Sequence, residues 1–176
     1  MAPAQLPQGL DRGQHVELEH RAASQWIRRA LMGAFAALAV IALLNVVGQR
    51  ASEVTAAGPA AQLTVRSPTR LRGGLLYQTA FTVVARHHIE RLHLVLSPGW
   101  FDGITMNTLE PSPGQEGSRN GRVSLSYGTL DPGQRLVVFI EWQVNPTTVD
   151  RRDVYADVYD GGQLLVRVHR KFTLLP

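Results

Sequence analysis

The chain has no cysteine. That excludes a disulfide framework, thiol catalysis and every zinc or iron–sulfur site built on thiolates. Lysine is nearly missing as well: of 18 basic residues, all but Lys171 are arginine. Charged residues make up 18% against 44% hydrophobic, which excludes a charge-dense disordered chain. There is no run of one charge sign. The net charge of +4 is interspersed, and no basic run is longer than His169-Arg170-Lys171. Nucleic-acid binding requires a clustered basic stripe, so no nucleic-acid partner is expected. The G-x-S-x-G, P-loop, H-E-x-x-H and S-x-x-K patterns are all absent. No catalytic residue, cofactor or bound metal is therefore assigned from sequence.

What is present begins with one apolar segment. Residues 30–48 read ALMGAFAALAVIALLNVVG, with Asn45 the one polar side chain. At ~1.5 Å per residue a helix of this length is about 28 Å long, close to the hydrocarbon core of a bilayer. Within lipid, a helix satisfies its own backbone groups, so helix is expected despite Gly33. Trp26 lies where an indole favours the membrane interface, and Arg28 and Arg29 can snorkel to head groups. Gly33 and Ala37 form a small-xxx-small pair through which two such helices can approach, a route to a homo-oligomer. Arg21, Arg28 and Arg29 precede the span, whereas Arg50 is the near one after it. The positive-inside rule then places residues 1–29 in the cytoplasm and the C-terminal part outside. A cleaved signal peptide is the alternative, with Val54-Thr55-Ala56 as a cleavage site. The length of the apolar stretch and of the region before it favours an uncleaved anchor in the cell membrane.

The flanks follow. Residues 1–14 are rich in Pro, Gly and Gln and read as a disordered tail. Residues 49–60, ending in Gly58-Pro59, read as a linker. From 61 to 176 the pattern changes to short alternating strands divided by turn signals such as Asp131-Pro132-Gly133 and Asp160-Gly161-Gly162. Strands are expected near 61–66, 76–86, 91–97, 103–109, 121–127, 135–144, 153–159 and 164–174. The expected fold is an all-β immunoglobulin-like sandwich preceded by one N-terminal transmembrane helix. Alternation assigns Leu136, Val138, Ile140, Trp142 and Val144 to the core, with Trp142 central. It does the same for Leu92, Leu94 and Leu96, for Val123, Leu125 and Tyr127, and for Val154, Ala156 and Val158. In the last strand Leu164, Val166, Val168, Phe172 and Leu174 are expected inside. A three-residue loop, Asp160-Gly161-Gly162, would then set Val158 opposite Leu164 and Tyr155 opposite Arg167.

Leu130-Asp131-Pro132-Gly133-Gln134, followed by the strand LVVFIEWQV, resembles the turn and strand of bacterial cell-surface immunoglobulin-like domains, the adhesion-related CARDB-like group among them. The closing hairpin Val158-Tyr159-Asp160-Gly161-Gly162 is similar to theirs. The resemblance covers residues 60–176 and implies a binding or spacer module without catalysis. It carries over no functional residues.

Three constellations remain. His87, His88 and His93 with Glu90 could serve a metal if a turn folded them together; a solvated strand end is the alternative. Glu141, Asp153 and Asp157 are outward carboxylates, whose acid–base use would need a cleft. Val137, Phe139, Tyr155, Tyr159 and Leu165, with Arg167, have the composition of a protein-contact patch. Trp100 and Phe101 either plug one end of the sandwich or reach toward a membrane or partner. The 107–121 stretch lacks apolar alternation and reads as a long loop. The expected partners are the bilayer and a membrane or envelope protein.

Overall fold

The computed structural model describes residues 14–44 and 49–176. The expected tail at 1–14, apart from Gln14, lies outside the described residues, as do Asn45 and the end of the expected span. The chain divides into two compact units, residues 1–47 and 48–176.

In the first unit, one helix, α1, runs from Gln14 to Leu43. Its membrane-length segment is Gln25–Leu43, 19 residues of mean hydropathy 1.7. That is long and apolar enough to cross a bilayer, although a signal sequence meets the same criterion. The segment starts earlier than residue 30 because the strongly apolar run from Ala30 to Leu43 outweighs Arg28 and Arg29. Arg29 lies 5.8 Å from the Trp26 ring, the spacing of a cation–π pair.

The second unit is a two-sheet sandwich. Its strands are β1 (Ala51–Ala57), β2 (Ala61–Pro68), β3 (Arg70–Arg72), β4 (Leu76–Ala85), β5 (Ile89–Leu96), β6 (Ile104–Glu110), β7 (Gln115–Arg119), β8 (Arg122–Leu130), β9 (Arg135–Val144), β10 (Asp150–Asp160) and β11 (Gln163–Leu175). One sheet has the order β1-β2-β4-β9-β6, and the other β3-β11-β10-β5-β8-β7. All ladders are antiparallel except β3 with β11. The alternating apolar residues of both sheets face each other, as binary patterning demands.

The expected core faces hold. Val138, Ile140, Trp142, Val144, Leu92, Leu94, Leu96, Leu125, Val154, Ala156 and Val158 are all buried. Trp142 sits in a cluster with Trp100, whose ring is 5.7 Å away, and Tyr77. Trp100 is fully buried, edge-on to Phe81 and Phe172, and its Nε1–H donates to the Tyr155 carbonyl at 3.0 Å. Trp100 therefore plugs the sandwich and is not free to reach outward. Phe101 packs on Trp142.

Three expectations are corrected. Residues 51–57 form strand β1 within the second unit, where a linker was expected. β1 is an edge strand with both faces largely exposed, so it carries no apolar alternation to read. For the same reason the polar stretch 107–121 is no loop: it ends β6 and supplies edge strand β7, exposed along its whole length. The third correction concerns the last hairpin. Its turn is the two residues Gly161-Gly162, with Asp160 opposite Gln163 and Tyr159 opposite Leu164. A β-bulge then inserts Leu165, so Val158 meets Val166 and Tyr155 meets His169. A short turn without that bulge would mix the two faces; the extra residue restores the phase. Leu164 is consequently exposed, whereas Leu165 packs against the core.

Arg170 faces inward on β11 and is 3% exposed. Its Nη1 donates to the carbonyls of Ser52 and Val65, and its Nη2 to Ser52 Oγ and the Ser67 carbonyl, at 2.7–2.9 Å. One guanidinium thus binds the six-stranded sheet to β1 and β2 of the other. Desolvation on burial lowers its pKa.

Candidate functional site

The structure divides the six-residue contact patch. Val137 and Phe139 lie on β9, and Tyr155, Tyr159, Leu165 and Arg167 on β10 and β11. These strands belong to different sheets. The outer faces of a sandwich point in opposite directions, so Phe139 and Tyr155 cannot share a surface. Alternation tells which residues point outward, but not which sheet a strand joins. Glu141 is separated from Asp153 and Asp157 in the same way.

What comes together is a side-chain ladder along β10 and β11. Odd-numbered residues of β10 point out, and pairing brings Asp157 opposite Arg167, Tyr155 opposite His169 and Asp153 opposite Lys171. Arg167 Nε and Nη2 donate to the two carboxylate oxygens of Asp157, both at 2.7 Å. Asp157 is buried beneath this fork, at 3% exposure. The hydrogen bonds to Asp157 raise the Arg167 pKa further above its ordinary value, against a smaller opposing effect of desolvation. The same guanidinium lies 5.5 Å from the Tyr155 ring. His169 stacks on Tyr155, with centroids 4.9 Å apart. His169 Nε2 lies 2.5 Å from Asp153 Oδ1. The run Asp157–Arg167–Tyr155–His169–Asp153 is therefore held at every step. Side chains fixed in advance lose less entropy when a partner covers them.

Beside the ladder the sheet is concave. A trough of about 450 Å³ is lined by His93, Val95, Ser124, Arg119, Tyr159 and Gly161-Gly162. It shares Val95, Arg119 and Ser124 with a larger hollow of about 640 Å³ against β7 and β8. Volumes of this order suit a side chain, a short peptide stretch or a small molecule. Tyr159 forms one wall. Sequence reasoning missed the β7 part of the opposite wall, residues 117–119, because that edge strand has no burial pattern. A positive-φ Asn120-Gly121 pair between two polar stretches was the signal for that hairpin.

The histidine cluster does not form. His88 Nδ1 lies 2.8 Å from Asp131 Oδ1, while His93 faces the trough. Among the described residues, no group of three His, Asp or Glu side chains is placed to hold a metal ion.

No protein-family model matches the sequence, and no curated protein matches it. Solved structures do. The CARDB domain of a Pyrococcus furiosus protein is 11% identical, with a TM-score of 0.45 over 68% of this chain and 98% of that one. A non-cellulosomal cohesin from Archaeoglobus fulgidus is 9% identical, with a TM-score of 0.41 over 72% of this chain and 92% of that one. AvmM, which catalyses macrocyclization in alchivemycin A biosynthesis, is 7% identical, with a TM-score of 0.45 over 71% of this chain and 97% of that one. The sandwich itself is read from the two sheets described above.

Proposed function

We propose that this protein is a membrane-anchored, non-catalytic binding module that holds a protein partner outside the cytoplasm. The observation that carries the reading is the ladder on β10 and β11. It presents a tyrosine ring, an imidazole and a guanidinium, pre-positioned beside a trough, in the composition of protein-binding hot spots. Catalysis is disfavoured by the placement of the acids. Asp157 is consumed by Arg167, and Glu141 is on the other sheet. The apolar helix Gln25–Leu43 supports anchorage, and the arginines before its apolar core support a cytoplasmic N-terminus. An anchor of this kind raises the effective concentration of the module at its partner.

Arg167 is a poor residue to remove, since its loss strands the buried Asp157 carboxylate. Tyr155→Ala spares that pair. The test is native co-purification of tagged full-length protein from its own membranes in mild detergent. Tyr155→Ala is expected to lower recovery of a stoichiometric partner at least tenfold, the loss of about 1.4 kcal/mol or more. Phe139→Ala, on the opposite face, is expected to leave it unchanged. Equal recovery with both variants would reject the ladder as the contact.

A second reading is a complex subunit held through its helix. It is favoured by the small-xxx-small pair Gly33 and Ala37, one helical turn apart, along which two helices can approach closely. Replacing the span with an unrelated apolar helix separates the two: assembly survives under the first reading and fails under the second.

A further inference from the structure

We propose a lipid-binding site at one end of the sandwich, taking the head groups of anionic phospholipid. The proposal rests on the anchored reading above. The three most exposed large apolar side chains of the sandwich are Val149 at 62%, Leu76 at 53% and Leu75 at 49%. They belong to two adjoining turns, 73–76 and 145–149. The Gly74 N–H donates to the Val144 carbonyl, and a Cβ on Gly73 would come within 2.8 Å of the Pro146 carbonyl. Exposed apolar residues clustered at one tip mark an interaction surface, whereas scattered ones do not.

The charges at this tip are one-sided. Arg70 and Arg72 on β3 and Arg151 on β10 are exposed, and pairing sets Arg70 and Arg151 on either side of Thr173. Lys171 continues the rim. Of the acids here, Asp102 and Asp150 both lie within ion-pair distance of Arg152, and Asp153, opposite Lys171, is taken up by His169. The opposite end is balanced: Glu90, Asp131 and Asp160 stand among Arg86, Arg91 and Arg135. Apolar side chains ringed by arginine suit an anionic lipid surface.

Chain length makes lipid the occupant. The apolar segment of α1 ends at Leu43, and β1 begins at Ala51. Eight Cα steps reach at most roughly 28 Å, and head groups fill about 5–7 Å of that. β1 enters beside this tip, since Ala51 pairs with Pro68, two residues before Arg70. On the anchored reading, a tether this short limits how far that end of the chain segment can lie from the head groups.

The absence of cysteine allows single labels. Full-length protein bearing Val149→Cys or, at the far end, Gln163→Cys is labelled with bimane and reconstituted into phosphatidylcholine vesicles. These either lack phosphatidylglycerol or contain about three parts in ten of it, and all carry a head-group spin-labelled lipid as quencher. Quenching is expected at position 149 and not at 163. It is expected to fall at least about threefold without phosphatidylglycerol, or in the Arg70→Gln, Arg72→Gln, Arg151→Gln triple variant. Equal quenching at 149 and 163 would overturn the site. Equal quenching at 149 with and without phosphatidylglycerol would overturn the anionic assignment. Extraction of the unlabelled protein from vesicles by alkaline carbonate would instead refute the anchor, and so separates the two failures.

Discussion

Single residues in this sandwich act through burial. Tyr77 and Tyr127 both have hydroxyls that are buried and lack a hydrogen-bond partner among the described residues. Burial raises both pKa values, that of Tyr127 to about 12. The unfolded chain ionises near pH 10, while the folded protein keeps these protons. Titration of these groups therefore leaves stability unchanged below about pH 10 and lowers it as pH rises from there through the folded values. Urea unfolding should show a midpoint that falls as pH rises from about 10 to 12, and Tyr77→Phe with Tyr127→Phe should flatten that fall. At neutral pH the double variant should be neutral or slightly more stable, because it removes two unsatisfied polar groups. Alternation in the sequence made Tyr127 readable as an inward residue. It gave no warning of Arg170, because an arginine within an apolar alternation reads as solvent-facing until its acceptors, supplied by Ser52, Val65 and Ser67, are seen.

At the scale of elements, strands with one buried face were legible and edge strands were not. β9 and the start of β10 carry strict alternation, whereas β1 and β7 bury neither face. The last hairpin shows where register reasoning stops. Burial of Val158 and Val166 was foreseeable, but a longer loop and a bulge are equivalent ways to achieve it. Backbone contact distinguishes them: a Cβ on Gly58 would lie 2.2 Å from the Leu165 carbonyl, the bulged residue. Gly58→Ala should thus destabilise by about 2–3 kcal/mol, since backbone must move on both sides. Gly162→Ala, in the turn of the same hairpin, meets no atom within 4 Å and should cost well under ~1 kcal/mol. Thermal denaturation of the two variants checks the contrast.

For the whole molecule, two sheets must be joined and oriented. Arg170 supplies one joint, from β11 to β1 and β2. Arg170→Ala should destabilise by about 2–3 kcal/mol through stranded carbonyls. It should also raise hydrogen exchange in β1 well before β4 or β9, because β1 has one strand neighbour and few buried side chains. Equal exchange in β1 and β9 would show that the guanidinium does not secure that edge. The helix, the all-β class and most of the core follow from hydropathy and period, which are properties of neighbours along the chain. The contact face, the trough and the basic tip depend on which strands share a sheet and which loops share an end. Those pairings join residues up to 118 positions apart, as between Ser52 and Arg170, and local periodicity carries no record of them.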